Sequence, residues 1–251
     1  MDAQTYPLRK HLLDLRTVLL RAFLGIGVGL IACAFFADLL LQWLSEPIQK
    51  ALEGQAHLVV LAPHEYFFTQ MKAALIGGFV LSSPWVFYQI WLFVAPGLYK
   101  NERKLAFCFV FCTALFFVSG ILFAQYVVFP SIFRFFIGSL PSYIQGQYSI
   151  GLLFSFSTNL LLAFGLVFET PVLVFLLIYM DLVELKTLQS YRRYVIVLAF
   201  IVAAILTPTP DPLTQTLMAC PILLLYELGL LVAKLAIFKN SSDGIDGPVI
   251  K

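Results

Sequence analysis

Long apolar stretches alternate with short polar ones along the whole chain. A helix that crosses a bilayer needs about 20 mostly apolar residues, and four stretches reach that length. They are Thr17–Leu41, interrupted only by Arg21 and Asp38; Phe67–Val94, ended by Ala95-Pro96-Gly97; Leu105–Phe129, closed by Pro130; and Leu152–Met180. Two shorter stretches follow, Tyr194–Leu206 and Leu213–Leu231, separated by Thr207-Pro208-Thr209-Pro210-Asp211-Pro212. Prolines at that density cannot continue a helix, so the segment predicts a tight extended turn. The pattern predicts an all-α polytopic membrane protein: residues 1–16 outside the membrane, six spans within 17–231, and a tail over 232–251.

The last two spans are predicted to be short. Tyr194–Leu206 has about 13 residues, roughly 20 Å of helix against a hydrocarbon core of about 30 Å. In the next stretch Pro221 is expected to bend the helix and Glu227 to interrupt it. Two such neighbours either thin the bilayer locally or sit near one interface with Tyr191, Tyr194 and nearby basic residues snorkelling. The connections Gln42–Tyr66 and Pro130–Gly151 are too apolar for free linkers and predict amphipathic pieces lying flat over the bundle.

Composition excludes the other classes. Of 251 residues, 61% are hydrophobic and 12% charged, against about 25% charged in a soluble domain. A net charge of +2 gives no reason to expect nucleic acid as a partner. Twelve Lys and Arg residues fall at the N-terminus, the second-to-third and fourth-to-fifth connections and the tail, whereas the two long loops hold only Lys50 and Arg134. By the positive-inside rule both termini are expected in the cytoplasm. The first apolar run is too long for a cleavable signal peptide and lacks a small-residue cleavage site. Cys33, Cys108, Cys112 and Cys220 lie in apolar runs and His11, His57 and His64 are scattered, so no metal site is expected. No hydrolase set, zinc motif or nucleotide loop is present, so neither an enzyme nor a cofactor is expected.

Three acids stand where acid is unexpected. Asp14 lies at the cytoplasmic mouth of the first span and Glu102 in the short loop before the third. Each has a structural reading, Asp14 as an i,i+4 surface partner of Lys10 and Glu102 in a first helical turn behind Asn101. The functional reading is a pair of carboxylates at one membrane face that binds a cationic ligand, guanidinium above all. Glu169 lies about 25 Å along the fourth span, where a carboxylate usually marks a site. Its alternatives are a packing partner such as Gln215 or Lys72, or the carrier of a proton-coupled small-solute transporter. Pro171 leaves the Val167 carbonyl without its helix partner and is expected to kink the span. Glu227 is read as a snorkelling surface acid.

Several ordered blocks carry a resemblance. They are His11-Leu12-x-Asp14-Leu15-Arg16; Glu46-Pro47; Ser83-Pro84-x-x-x-Tyr88-Gln89-x-Trp91-x-Phe93-x-x-Pro96-x-Leu98-Tyr99-x-x-Glu102-Arg103; Phe164-Gly165-x-x-Phe168-Glu169-x-Pro171; and Thr207-Pro208 with Asp211 and Gln215, then Pro221 and Tyr226-Glu227. From about Leu8 to Lys234 the chain resembles the twin-arginine translocase subunit TatC family. The resemblance implies a concave, glove-like six-helix bundle in the bacterial cytoplasmic (inner) membrane. It also implies a receptor for twin-arginine signal peptides of folded cargo proteins, with transport driven by the proton gradient. On this resemblance Asp14 and Glu102 hold the guanidiniums, with Arg16, Phe93, Lys100 and Arg103 nearby. Glu169, Thr207 and Gln215 meet single-span TatA/TatB-type subunits within a larger, self-associated complex, while Pro47, Pro84, Pro96, Pro171, Pro208 and Asp211 have structural roles. The family usually has Glu where this chain has Asp14, one methylene shorter, and in many relatives the Thr17-Val18 positions are more basic.

Overall fold

Apolar helices dominate the chain, which the computed structural model describes over residues 5–52, 56–94, 103–138, 141, 146–180, 182–206 and 212–242. In order these form α1 (Thr5–Ala34), α2 (Ala37–Leu52), β1 (Ala56–Val59), α3 (Pro63–Val94), α4 (Arg103–Phe123), a π-helical turn (Ala124–Val128), α5 (Phe129–Gly138), β2 (Gly146–Ser149), α6 (Ile150–Phe168), α7 (Thr170–Tyr179), α8 (Leu185–Ser190), α9 (Arg192–Leu206) and α10 (Pro212–Ser242). Among the described residues five segments are long and apolar enough to cross a membrane: Leu13–Ala34, Pro63–Phe93, Cys108–Gly138, Ile150–Tyr179 and Thr214–Leu235. Helix α9, which covers the stretch Tyr194–Leu206, has 15 residues, about 22 Å, and is short as expected.

Prolines and acids interrupt these helices less than their residue types suggest. Pro84 lies inside α3 and Pro171 opens α7, each removing the N–H that would serve the carbonyl four residues back. In both cases the preceding hydroxyl replaces it: Ser83 Oγ donates to the Val80 carbonyl at 2.7 Å, and Thr170 Oγ1 to the Val167 carbonyl at 2.6 Å. Pro130 does not close the third apolar stretch. A π turn precedes it, the Phe129 N–H reaching back five residues to Ala124, and Pro130 falls in the first turn of α5, where no N–H is needed.

Two further expectations are corrected. Thr17–Leu41 is not one helix: α1 ends at Ala34, and after Phe35-Phe36 α2 begins with Asp38 in its first turn. The Asp38 carboxylate accepts from the Tyr66 hydroxyl at 3.0 Å and from the Gln70 amide, a local polar cluster that favours a helix start there. Nor is the last helix short. Arg192 Nη2 lies 2.7 Å from Glu227 Oε2, so Glu227 is paired rather than merely snorkelling. Helix α10, with Pro221 inside it, continues to Ser242.

The chain divides into two compact units, residues 1–118 with 142–155 and residues 119–141 with 156–251. In the first, α1 and α3 pack so closely that glycine is required at the crossing. A Cβ on Gly78 would lie 2.6 Å from Leu30 Cα, and one on Gly29 2.5 Å from the Gly78 carbonyl oxygen. Small residues let helix backbones approach, and van der Waals packing then holds them where lipid offers no hydrophobic drive.

The same unit contains an element absent from the all-α expectation. Strands β1 and β2 pair in parallel, Ala56 opposite Gly146 through Val59 opposite Ser149. Beside them the Glu65 carboxylate accepts the Leu61 N–H at 2.6 Å, the Ala62 N–H at 3.3 Å, the Gly151 N–H at 2.8 Å and the Ser149 hydroxyl. One side chain thus caps α3 and fastens the start of α6 to it. Replacing Glu65 with Ala is expected to speed amide hydrogen exchange at Leu61 and Gly151 by roughly tenfold, the scale set by losing charge-assisted bonds. Unchanged exchange at Gly151 would show that the carboxylate does not hold this junction.

In the second unit Gly120 lets α4 approach α6, a Cβ there falling 2.5 Å from the Phe164 carbonyl oxygen, and Gly229 sits against Pro171. Val174, Ile178, Leu188, Tyr226, Leu230 and Ala233 form a buried cluster. The Tyr226 hydroxyl donates to the Leu188 carbonyl at 2.7 Å, so a buried phenol ties α10 to α8. Of α9 only Ala199 and Ala203 are buried.

Candidate functional site

Asp14 and Arg16 stand exposed in the first half of α1. No ion pair engages Asp14 among the described residues, and Lys10, the surface partner its spacing offers, has no described side chain. Helices α1 and α3 run antiparallel. A Cβ on Gly77 would lie 3.3 Å from Cys33 Sγ, Gly78 meets Gly29, and Trp85 Nε1 donates to the Arg21 carbonyl at 3.0 Å. Two turns before Arg21 in α1 come to Asp14, and two turns beyond Trp85 in α3 come to Leu92 and Phe93. Asp14 is therefore level with Phe93, half-buried at the end of α3.

Trp91 stacks on Phe109, centroids 4.6 Å apart and planes 23° from parallel. Such a pair contributes about 0.5–1.5 kcal/mol and joins the end of α3 to the start of α4. The connection between those helices carries Pro96, Lys100 and Glu102, which lie outside the described residues. Arg103 opens α4 with its side chain likewise outside them.

Glu169 occupies the junction between α6 and α7. Its N–H bonds the Leu166 carbonyl at 3.1 Å and its carbonyl accepts from Leu173 at 2.9 Å, so the helix tightens without breaking. The side chain is 7% exposed, and among the described residues no group bonds its Oε1. Neither partner suggested by residue type is its ligand: Gln215 Nε2 donates to the Phe200 carbonyl at 2.9 Å, and Lys72 Nζ to Ser155 Oγ at 2.8 Å. A buried carboxylate with an unmet acceptor is costly inside one chain and suited to a polar partner from outside it. Thr207, Pro208 and Asp211 lie outside the described residues. Pro47 is buried within α2 and Pro171 within α7, whereas Pro84 is exposed.

A family model described as Sec-independent protein translocase protein (TatC) matches residues 10–221. The chain belongs to the TatC family. It is 42% identical over 227 residues to the Sec-independent protein translocase protein TatC of Magnetococcus marinus, covering 90% of this chain and 83% of that one. To the Escherichia coli K12 protein of the same name it is 36% identical over 236 residues, covering 94% and 91%. A crystal structure of a twin arginine translocase receptor, TatC, matches with a TM-score of 0.80 at 34% identity, covering 90% of this chain and 99% of that one.

TatC membership and the apolar helices together make this a multi-pass membrane protein of a protein-transport family. Among the polar contacts that residue order did not point to are those of Glu65 and Glu227. Glu65 carried a usable signal, because an acid at the third helical position behind a first-position proline is one half of a capping box. The Arg192–Glu227 pair carried none, since its partners are 35 residues apart.

Proposed function

We propose that this chain is the receptor subunit of a twin-arginine protein export system in the bacterial inner membrane, with six spans and both termini in the cytoplasm. Asp14 and Glu102 hold the paired guanidiniums of a signal peptide, with Arg16, Phe93, Lys100 and Arg103 around them. Single-span TatA/TatB-type subunits dock at Glu169, Thr207 and Gln215, and the proton gradient drives passage of folded cargo. The observation that carries this reading is the antiparallel α1–α3 register. It sets an exposed acid level with the end of α3, from which the Glu102-bearing connection departs.

The test exploits the difference between arginine and lysine. Guanidinium binds a carboxylate through two parallel bonds, which a single ammonium does not reproduce. Membranes containing the chain are expected to retain a twin-arginine signal peptide at least about tenfold better than its twin-lysine variant, the worth of one bidentate contact. Equal retention would remove the receptor assignment.

Glu169→Ala is expected to weaken crosslinking to a single-span partner while leaving peptide capture intact, because the acid and the peptide site belong to different events. Equal loss of both would count against a separate docking position. The other reading of Glu169, a proton-coupled small-solute carrier, requires uptake by the purified chain alone in liposomes, and the family similarity does not favour it.

A further inference from the structure

An apolar groove of about 460 Å³ lies along α1 and α3, lined by Leu24, Val28, Ala32 and Leu81, with Arg21 and Trp85 among its walls. Arg21 is eight residues into the Leu13–Ala34 span, about 12 Å along the axis. Its side chain is exposed, and no acid pairs with it among the described residues. A guanidinium at that depth is costly unless it meets an anion or snorkels. Nor is Trp85 free to leave: its indole N–H is bonded to the Arg21 carbonyl, and it packs over Gly25. This fixes an aromatic wall in the same groove as the cation.

The groove therefore asks for an occupant with two properties. It must present an anion at the Arg21 level and lay an apolar body along the roughly 12 Å from Leu24 to Ala32. We propose that this groove binds an anionic phospholipid, its phosphate on Arg21 and one acyl chain along Leu24, Val28, Ala32 and Leu81. Charge and shape together select the occupant: an anionic lipid joins a phosphate to an acyl chain in one molecule, and the long arginine stem lets the Arg21 guanidinium snorkel to the headgroup level where that phosphate lies.

Native mass spectrometry of the full chain, purified and then incubated with phosphatidylglycerol or phosphatidylcholine, tests the assignment. The wild-type chain is expected to retain one phosphatidylglycerol in preference to phosphatidylcholine. Arg21→Gln is expected to lower that retention roughly fivefold, the worth of one basic contact with an anionic surface. Val28→Trp, which fills the groove and keeps the charge, is expected to lower it comparably. Lys186→Gln, removing an exposed cation in the other unit, is expected to leave it unchanged. Equal retention of the two lipids overturns the proposal, as does equal loss from Arg21→Gln and Lys186→Gln. So does a lipid-free dimer that Val28→Trp dissociates, since a second copy would then be the occupant.

Discussion

Gly78→Leu is expected to lower the thermal midpoint of the detergent-solubilised chain by roughly 5–10 °C, as overpacking that costs about 1–3 kcal/mol does in a domain of this size. The new Cβ would fall 2.6 Å from both Leu30 Cα and Leu30 N. Those are backbone atoms of the neighbouring helix, so no side chain can rotate aside to make room, and α1 and α3 must separate. Separation forfeits the close contact on which helix association in a membrane depends. Gly27 supplies the control. Nothing lies within 4 Å of a Cβ built there, so Gly27→Leu is expected to leave the midpoint unchanged or to raise it by a few degrees, since an exposed helical glycine is replaced by a better helix former. If both variants melt alike, the glycine crossing does not determine this pair.

Removing the two acids of the proposed receptor is expected to have the largest effect on function. Glu102→Ala should lower capture of a twin-arginine peptide by roughly 30-fold, the lower end of what truncating one member of a charged, hydrogen-bonded pair costs. Asp14→Ala should lower it less, because the shorter side chain makes the weaker contact, and the double variant should abolish capture. Abundance in the membrane is expected to hold in both variants. Asp14 is exposed on a helix, where alanine is the better helix former. Undiminished capture by the double variant would refute the carboxylate receptor.

Much of the fold was legible because membrane helices announce themselves locally. A long apolar run satisfies its own backbone bonds, so its existence depends on composition over about 20 residues and on little else. Helix ends were less legible. Pro130 looked like a stop, and a π turn carried the helix past it; Glu227 looked like an interruption until Arg192 neutralised it. At the site, the acids were visible as acids out of place. That the Glu169 carboxylate has an oxygen without a bond among the described residues was not, because Gln215 and Lys72 were both plausible partners until their own bonds were seen.

Residue order alone determined where the apolar runs lie, which connections carry the positive charge and which acids stand out. These are properties of contiguous stretches, governed by transfer into hydrocarbon and by bonds closed within one helix. Its Ser83-Pro84 and Thr170-Pro171 pairs also carried the hydroxyls that repair the proline gaps, a repair that reaches back only three residues. Tertiary structure decided the rest: the backbone crossing at Gly29 and Gly78, the β1–β2 ribbon, the Glu65 clasp and the Arg192–Glu227 pair. Each joins residues tens of positions apart. Their meeting depends on which helix faces packed together, and no local preference encodes that choice.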